Sequence, residues 1–254
     1  MINRHIIQKL RQINLFKTLL FNFRTLPFYQ AIKLPVIIFG KCIIVDTHRG
    51  GVKISTPIRR GMLQIGRLPD HRIFGNQSIS PCVINIKGVL VLNGDHVFLG
   101  PGSMIAIEQH AEMFFGDDIQ MGHNTILFAS EKIVFGNQIS VSWNTQFYDT
   151  DFHYSITDEC KVRNNKKTVH IGDSVWVGNQ VTIQKGSIPS NSIVSSYSLV
   201  NKDFSNGRSG LYAGIPAVHI KDGIRRLFDF TEEHRLDQFF WDNKDVKEYY
   251  MMKI

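Results

Sequence analysis

The sequence predicts an all-β solenoid, a parallel β-helix of hexapeptide repeats with a helical segment at its N-terminus and a short helix at its C-terminus. Three observations predict it. Ile171, Val177 and Ile183 recur every six positions, and Gly172 and Gly178 directly follow the first two. Phe135, Val141 and Phe147, then Phe115, Met121 and Leu127, repeat that spacing upstream, with Leu99 and Ile105 beginning a fourth set. Gly, Asn, Asp and Ser crowd the gaps, where corners need unusual backbone angles. A six-residue period fits neither a 3.6-residue helix nor an alternating strand, and self-similarity at a fixed period marks a repeat architecture. Three hexads make a coil of about eighteen residues with three flat faces, and one coil cannot bury its apolar side chains without others stacked on it. An antiparallel sandwich would show period two without the fixed offset of six.

In chain order, residues 1–35 read as mainly helical, closed by Pro27 and Pro35. Ile6, Ile7, Leu10, Ile13, Leu15, Phe16, Leu19 and Leu20 mix there with basic residues at roughly helical spacing. Two readings stand for this segment: a basic amphipathic helix on an anionic membrane surface, or a helix packed on the first coil with its charges in water. Residues 36–220 form the solenoid domain, irregular from Val36 to about Ile84 and regular to about Val200. Two places break the period. The step from Leu127 to Phe135 is eight, a small bulge around Ser130 to Lys132, and a polar insertion, loop 148–170, separates Phe147 from Ile171. Loops thrown from a rigid scaffold are where function concentrates. Residues 221–254 form a helical tail, with Thr231 as its expected cap and Leu236, Phe239 and Phe240 on its apolar side.

Hydrophobic content of 43% supplies an ample core. The charge is uneven: residues 1–60 hold eleven Lys and Arg against one acid, Asp46, whereas the rest holds eighteen against twenty-one. No nucleic-acid motif accompanies the basic segment, and no nucleic-acid partner is expected. The three cysteines, Cys42, Cys82 and Cys160, have no metal or disulfide spacing, which favours a reduced, cytoplasmic compartment. No cleavable leader pattern is read at the N-terminus.

The chemistry gathers at the start of the insertion, Ser142-Trp143-Asn144-Thr145-Gln146-Phe147-Tyr148-Asp149-Thr150-Asp151-Phe152-His153. A neutral imidazole takes a proton from a hydroxyl near physiological pH, and a nearby carboxylate orients it. Asp149 and Asp151 are candidates for that carboxylate or for capping the turn.

Thr150-Asp151-Phe152-His153, Ile171-Gly172-Asp173-Ser174-Val175-Trp176-Val177-Gly178, Val200-Asn201-Lys202-Asp203 and Ala213-Gly214-Ile215-Pro216-Ala217 carry a resemblance over roughly residues 95–220. The chain resembles the hexapeptide-repeat acyltransferases with a left-handed β-helix, in the sugar O-acetyltransferase branch that includes maltose and galactoside acetyltransferases. The Ser-Trp run and the basic N-terminus look more like transferases of capsule, O-antigen or exopolysaccharide synthesis.

The resemblance implies a homotrimer with sites between subunits, acetyl-CoA as co-substrate and a saccharide acceptor. It implies His153 as catalytic base and Trp176, Asn179, Ser196, Asn201, Lys202, Gly214 and Pro216 along the coenzyme. Asn201 stands where the family has Thr, and the coil around Ser187 to Ser190 is one residue short. The family's acceptor-site asparagine falls at Gly122, leaving His123 or Asn124 for that work, with Trp143, Asp149 and Asp151 nearby. Trp176 reads equally as a corner residue packed between coils, Lys202 as a solvated lysine, and Trp143 as either a sugar platform or a coil cover. N-acetylation of an amino sugar would use the same base, and a non-catalytic scaffold would need none of these residues. A zinc hydratase of the same fold needs a His-x4-His pair. The chain has no such pair, so no catalytic metal is expected.

Overall fold

The computed structural model describes residues 12–67 and 80–251. After helices α1 (Leu15–Thr25) and α2 (Phe28–Ala31), every strand up to Val200 joins one of three parallel sheets. The first three coils are β1 (Val36–Ile38), β2 (Cys42–Thr47) and β3 (Val52–Ile54); β4 (Leu63–Ile65), β5 (Cys82–Ile86) and β6 (Val89–Leu92); and β7 (Val97–Leu99), β8 (Met104–Ile107) and β9 (Glu112–Phe115). The next two are β10 (Ile119–Met121), β11 (Ile126–Ala129) and β12 (Lys132–Phe135), then β13 (Ile139–Val141), β14 (Gln146–Tyr148) and β15 (Val169–Ile171). Above them lie β16 (Trp176–Val177) with β17 (Thr182–Gln184), and β18 (Ile193–Val194) with β19 (Leu199–Val200). An antiparallel hairpin, β20 (Gly210–Gly214) and β21 (Ala217–Asp222), ends the stack. The sheets have nine, seven and five strands, and successive coils pair without changing sheet. This is the parallel β-helix solenoid the repeat predicts, of the left-handed kind the resemblance implies.

The residues six apart point inward together. Phe115, Leu127, Phe147, Ile171, Val177 and Ile183 are fully buried. In-register stacking places like on like. The in-register Phe115 and Phe135 rings lie 5.4 Å apart, and Phe135 also meets the Phe147 ring of another sheet at 5.1 Å. Glycines at one corner let the coils close. A Cβ on Gly116 would lie 2.3 Å from the Gly136 carbonyl oxygen, and one on Gly172 2.4 Å from the Ser190 nitrogen. Polar side chains staple the same corner: Asn137 Oδ1 accepts from Asp117 N at 2.8 Å, and Asp173 Oδ1 from Asn137 N at 2.6 Å.

Four expectations are corrected. The coils are not uniformly eighteen residues, because the in-register partners Val97 and Ile119 stand 22 positions apart, Ile119 and Ile139 20, and Trp176 and Ile193 17. The extra residues widen the turns at Glu108–Ala111 and Ser130–Glu131. The stretch from Val36 is regular in pairing although irregular in spacing, since β1 to β5 already pair in the same sheets. The chain after Pro216 first forms β21 before α3 (Phe230–Asp242). That helix is capped by Asp229, whose Oδ1 accepts from Thr231 N at 2.9 Å, so Thr231 is the first-turn residue that is capped. The N-terminal expectations at Ile6, Ile7 and Leu10 lie outside the described residues. Among the described residues no helix is long and apolar enough to cross a membrane.

Candidate functional site

The insertion leaves the scaffold after β14 and returns at β15. The root of this loop is locked. Asp149 is fully buried, and its carboxylate accepts from the backbone N–H groups of Ser130 at 2.7 Å, Glu131 at 2.7 Å and Lys132 at 2.6 Å. The bulge seen in the spacing is therefore the wall of this loop. Burial pushes the Asp149 pKa up against the pull of the three donors. Thr150 bridges Lys166 across the loop, and Asp151 N donates to Asn165 O at 2.9 Å. Phe152 takes a left-handed φ of 62°. Its ring is wedged between Phe128 at 4.9 Å and Tyr148 at 5.6 Å. The next residue, His153, is tied by its N–H to Asp151 O at 2.7 Å and is exposed. A tight turn on a packed aromatic base thus presents the imidazole to solvent.

Neither aspartate points its carboxylate at that ring as an orienting partner. Asp149 is committed to the three backbone donors, and Asp151 is held by Lys185 Nζ and, at 2.9 Å, by Gln184 Nε2. The turn-capping reading holds for Asp149. Sequence inspection missed Lys185 and Gln184. The signal was their place one coil above Tyr148, in register with β14.

The remaining candidates fall into separate groups. Where the nine-stranded sheet turns into the seven-stranded one, His123, Trp143, Asn179 and Ser196 stand one above another on successive coils. The His123 and Trp143 rings are stacked at 6.0 Å with an interplanar angle of 6°. Ser196 Oγ donates to Asn179 Oδ1 at 2.6 Å. Asn124 and Asn144 take the left-handed corner conformation, and Asn124 Nδ2 donates to Asn144 Oδ1 at 3.0 Å. Burial pushes the His123 pKa down, which keeps its ring neutral at physiological pH.

Asn201 and Lys202 are exposed at the other end of the seven-stranded sheet, above the His153 loop. Trp176 lies on the nine-stranded sheet, 39% exposed, with the Arg226 guanidinium 5.9 Å from its ring centre. It is not sealed between coils. Arg226 is a third residue the sequence did not single out, and Glu233 holds it at 3.5 Å. Gly214 and Pro216 sit in the turn of the β20–β21 hairpin.

Within one chain, then, Asp151 and His153 share the turn beyond the C-terminal end of β14, whereas His123 and Trp143 lie beyond its N-terminal end, with the three-residue strand, about 10 Å long, between the two groups. A cleft of about 600 Å³ at the loop base is lined by Glu131, Lys166, Lys167, His170 and Asp203 among others. Among the described residues, Asp95, His96 and Asp117 bring donor atoms within 4.8 Å of one another. Their bonds already serve the scaffold: Arg59 pairs with Asp95 at 2.9 Å, and Asp117 Oδ1 accepts from Asp95 N and His96 N.

Comparison with known proteins gives the following. A protein of Klebsiella pneumoniae named "Uncharacterized 24.8 kDa protein in cps region" is 35% identical over 150 residues, 59% of this chain and 64% of that protein. A protein of Saccharomyces cerevisiae named "Putative acetyltransferase YJL218W" is 27% identical over 94 residues, 37% of this chain and 48% of that one. The chain thus spans between about half and two thirds of these relatives. No family model matches.

Among solved structures, the polySia-specific acetyltransferase NeuO aligns over 82% of this chain and 99% of its own, at 16% identity and a TM-score of 0.42. A galactoside acetyltransferase in complex with coenzyme A aligns over 57% and 61%, at 17% identity and a TM-score of 0.37. At these scores the structural likenesses add no argument. The six-residue repeat and the three-faced parallel prism make the chain a hexapeptide-repeat solenoid of the left-handed β-helix fold, similar in sequence to a protein named as a putative acetyltransferase.

Proposed function

We propose that the chain is an acetyl-CoA-dependent O-acetyltransferase acting on a saccharide hydroxyl, with a surface-polysaccharide precursor as acceptor. The observation that carries this reading is the exposed His153 imidazole, held by a tight turn at the root of the long loop the solenoid throws out after β14. In the proposed reaction His153 removes the proton from the sugar hydroxyl as that oxygen attacks the thioester carbonyl carbon. The tetrahedral adduct collapses with cleavage of the C–S bond, and the proton returns from His153 to the departing thiolate. The yeast relative's name supports acetyl transfer, and the Klebsiella relative's place in a cps region supports the acceptor class.

The separation of His153 from the His123–Trp143 stack supports a homotrimer. Two corners at opposite ends of one sheet can border a single site only when the corner of one copy faces the other corner of the next. In that arrangement Trp143, His123 and Asn124 would meet the acceptor. Trp176, Asn179, Ser196, Asn201, Lys202, Gly214 and Pro216 would border the coenzyme, with Arg226 beside Trp176. Asp149 and Asp151 act as positioning residues for the His153 turn. A cytoplasmic protein peripheral to the inner membrane face would meet a lipid-carried acceptor.

The test is acetyl transfer by wild type and His153→Ala across nucleotide sugars and lipid-linked oligosaccharides. Loss of about 100- to 10,000-fold in turnover is expected, with coenzyme affinity unchanged. A variant that keeps more than half the wild-type turnover would rule the mechanism out.

A further inference from the structure

Helix α1 is amphipathic in the reverse sense for a water-facing helix. Its inner arc is Thr18, Phe21, Asn22 and Thr25, all buried, and three of the four are polar. Asn22 Nδ2 donates to Val36 O at 2.6 Å, its Oδ1 accepts from Val36 N at 3.1 Å, and Thr18 Oγ1 accepts from Ile38 N at 3.0 Å. The helix hydrogen-bonds the free edge of β1 much as another strand would, and so shields it. Its outer arc is apolar. Leu15 and Phe16 are 61% and 70% exposed, and Leu19, Leu20 and Phe23 are also exposed.

At 100° per residue these five occupy an arc of about 140°, with Lys17 and Arg24 side by side at its margin. The Phe28 ring, 66% exposed and 5.7 Å from the Phe23 ring, continues the surface onto α2 with Tyr29 and Ile32. The charge of this part of the sequence has one sign. Residues 1–60 carry eleven bases and a single acid, Asp46, which already lies 3.9 Å from Arg24.

We propose that this outer face of α1 and α2 seats the protein on an anionic bilayer, independently of the acetyltransferase reading. The apolar arc enters the headgroup boundary, and Lys17, Arg24 and Lys33 meet anionic headgroups. Exposed Phe16, Phe23, Phe28 and Tyr29 suit that boundary, where aromatic rings concentrate. Charge selects the occupant: a second copy would bring the same positive field against itself, whereas an anionic lipid surface complements it.

The experiment is co-sedimentation of the full-length protein with phosphatidylcholine vesicles made with and without phosphatidylglycerol. Binding is expected only with phosphatidylglycerol and should fall as salt rises. Lys17→Glu with Lys33→Glu should weaken it by about tenfold or more. Phe16→Ser with Leu19→Ser should abolish it while leaving the melting temperature unchanged, because both side chains are exposed. The proposal is overturned if the wild type stays in the supernatant at low salt, or if binding survives the serine pair. It is likewise overturned if that pair disperses an oligomer of the chain, which would assign the face to contact between copies.

Discussion

At the scale of single residues, the most telling group is Asp149. A buried carboxylate accepting three backbone N–H groups is a fold determinant in a place where sequence alone suggests acid–base chemistry. Its removal strands three donors that have no other partner in the turn. Asp149→Ala should therefore destabilise the protein by about 3 kcal/mol or more, since each buried polar group left unpaired costs about 1–3 kcal/mol. A shift in the urea midpoint with an unchanged slope measures this, and a shift under 1 kcal/mol, the scale of one ordinary hydrogen bond, would mean the turn is held by other contacts. Asp151 differs, because Lys185 and Gln184 take its carboxylate at a half-exposed site. Its loss should blunt the positioning of His153 more than it lowers stability.

Among the elements, α1 shows how polar residues can be placed inward to good effect. Thr18 and Asn22 satisfy the outer edge of β1, which would otherwise present unpaired backbone groups at the open end of the solenoid. Asn22→Leu keeps the volume but leaves the Val36 N–H and C=O without their partner. The expected loss is about 2 kcal/mol, read from thermal unfolding, together with a greater tendency to aggregate through the bared edge. Unchanged stability and solubility would show that the edge is protected in another way. The same logic explains why the reverse face is free to be apolar, since it has no part in holding the helix to the coil.

Across the whole molecule, seven stacked levels make one continuous core, and both end-to-end cysteines near the first coils lie inside it. Cys42 and Cys82 are in-register partners on adjacent strands and are buried, whereas Cys160 is exposed in the insertion. Burial pushes the Cys42 thiol up to about 12 and raises that of Cys82. Both therefore stay protonated and unreactive at neutral pH, because the thiolate is the nucleophile. A thiol-reagent titration at pH 8 should find one fast-reacting group per folded chain and three after denaturation, and Cys160→Ser should remove the fast one. Two fast groups in the native protein would mean that the first coils open readily.

The six-residue spacing of inward residues determined the solenoid by itself. A period written into the chain forces each coil to bury its apolar positions against the next, whatever the details of the corners. The same pattern marked Ser130 to Lys132 and the insertion as departures, so the loop that carries His153 was legible before any coordinates. Coil length was not, because turns such as Glu108–Ala111 absorb extra residues without disturbing the register of the strands. Nor were the roles of Asp149 and Asp151, which depend on which donors stand opposite them: backbone N–H groups of the preceding coil for one, and Lys185 with Gln184 of the following coil for the other. The facing of α1 also waited for the fold, since helical spacing shows that two faces differ but not which one meets the sheet edge. Periodicity fixes which residues share a face. Only the tertiary structure decides what that face is set against, because partners distant in the chain meet only when the coils stack.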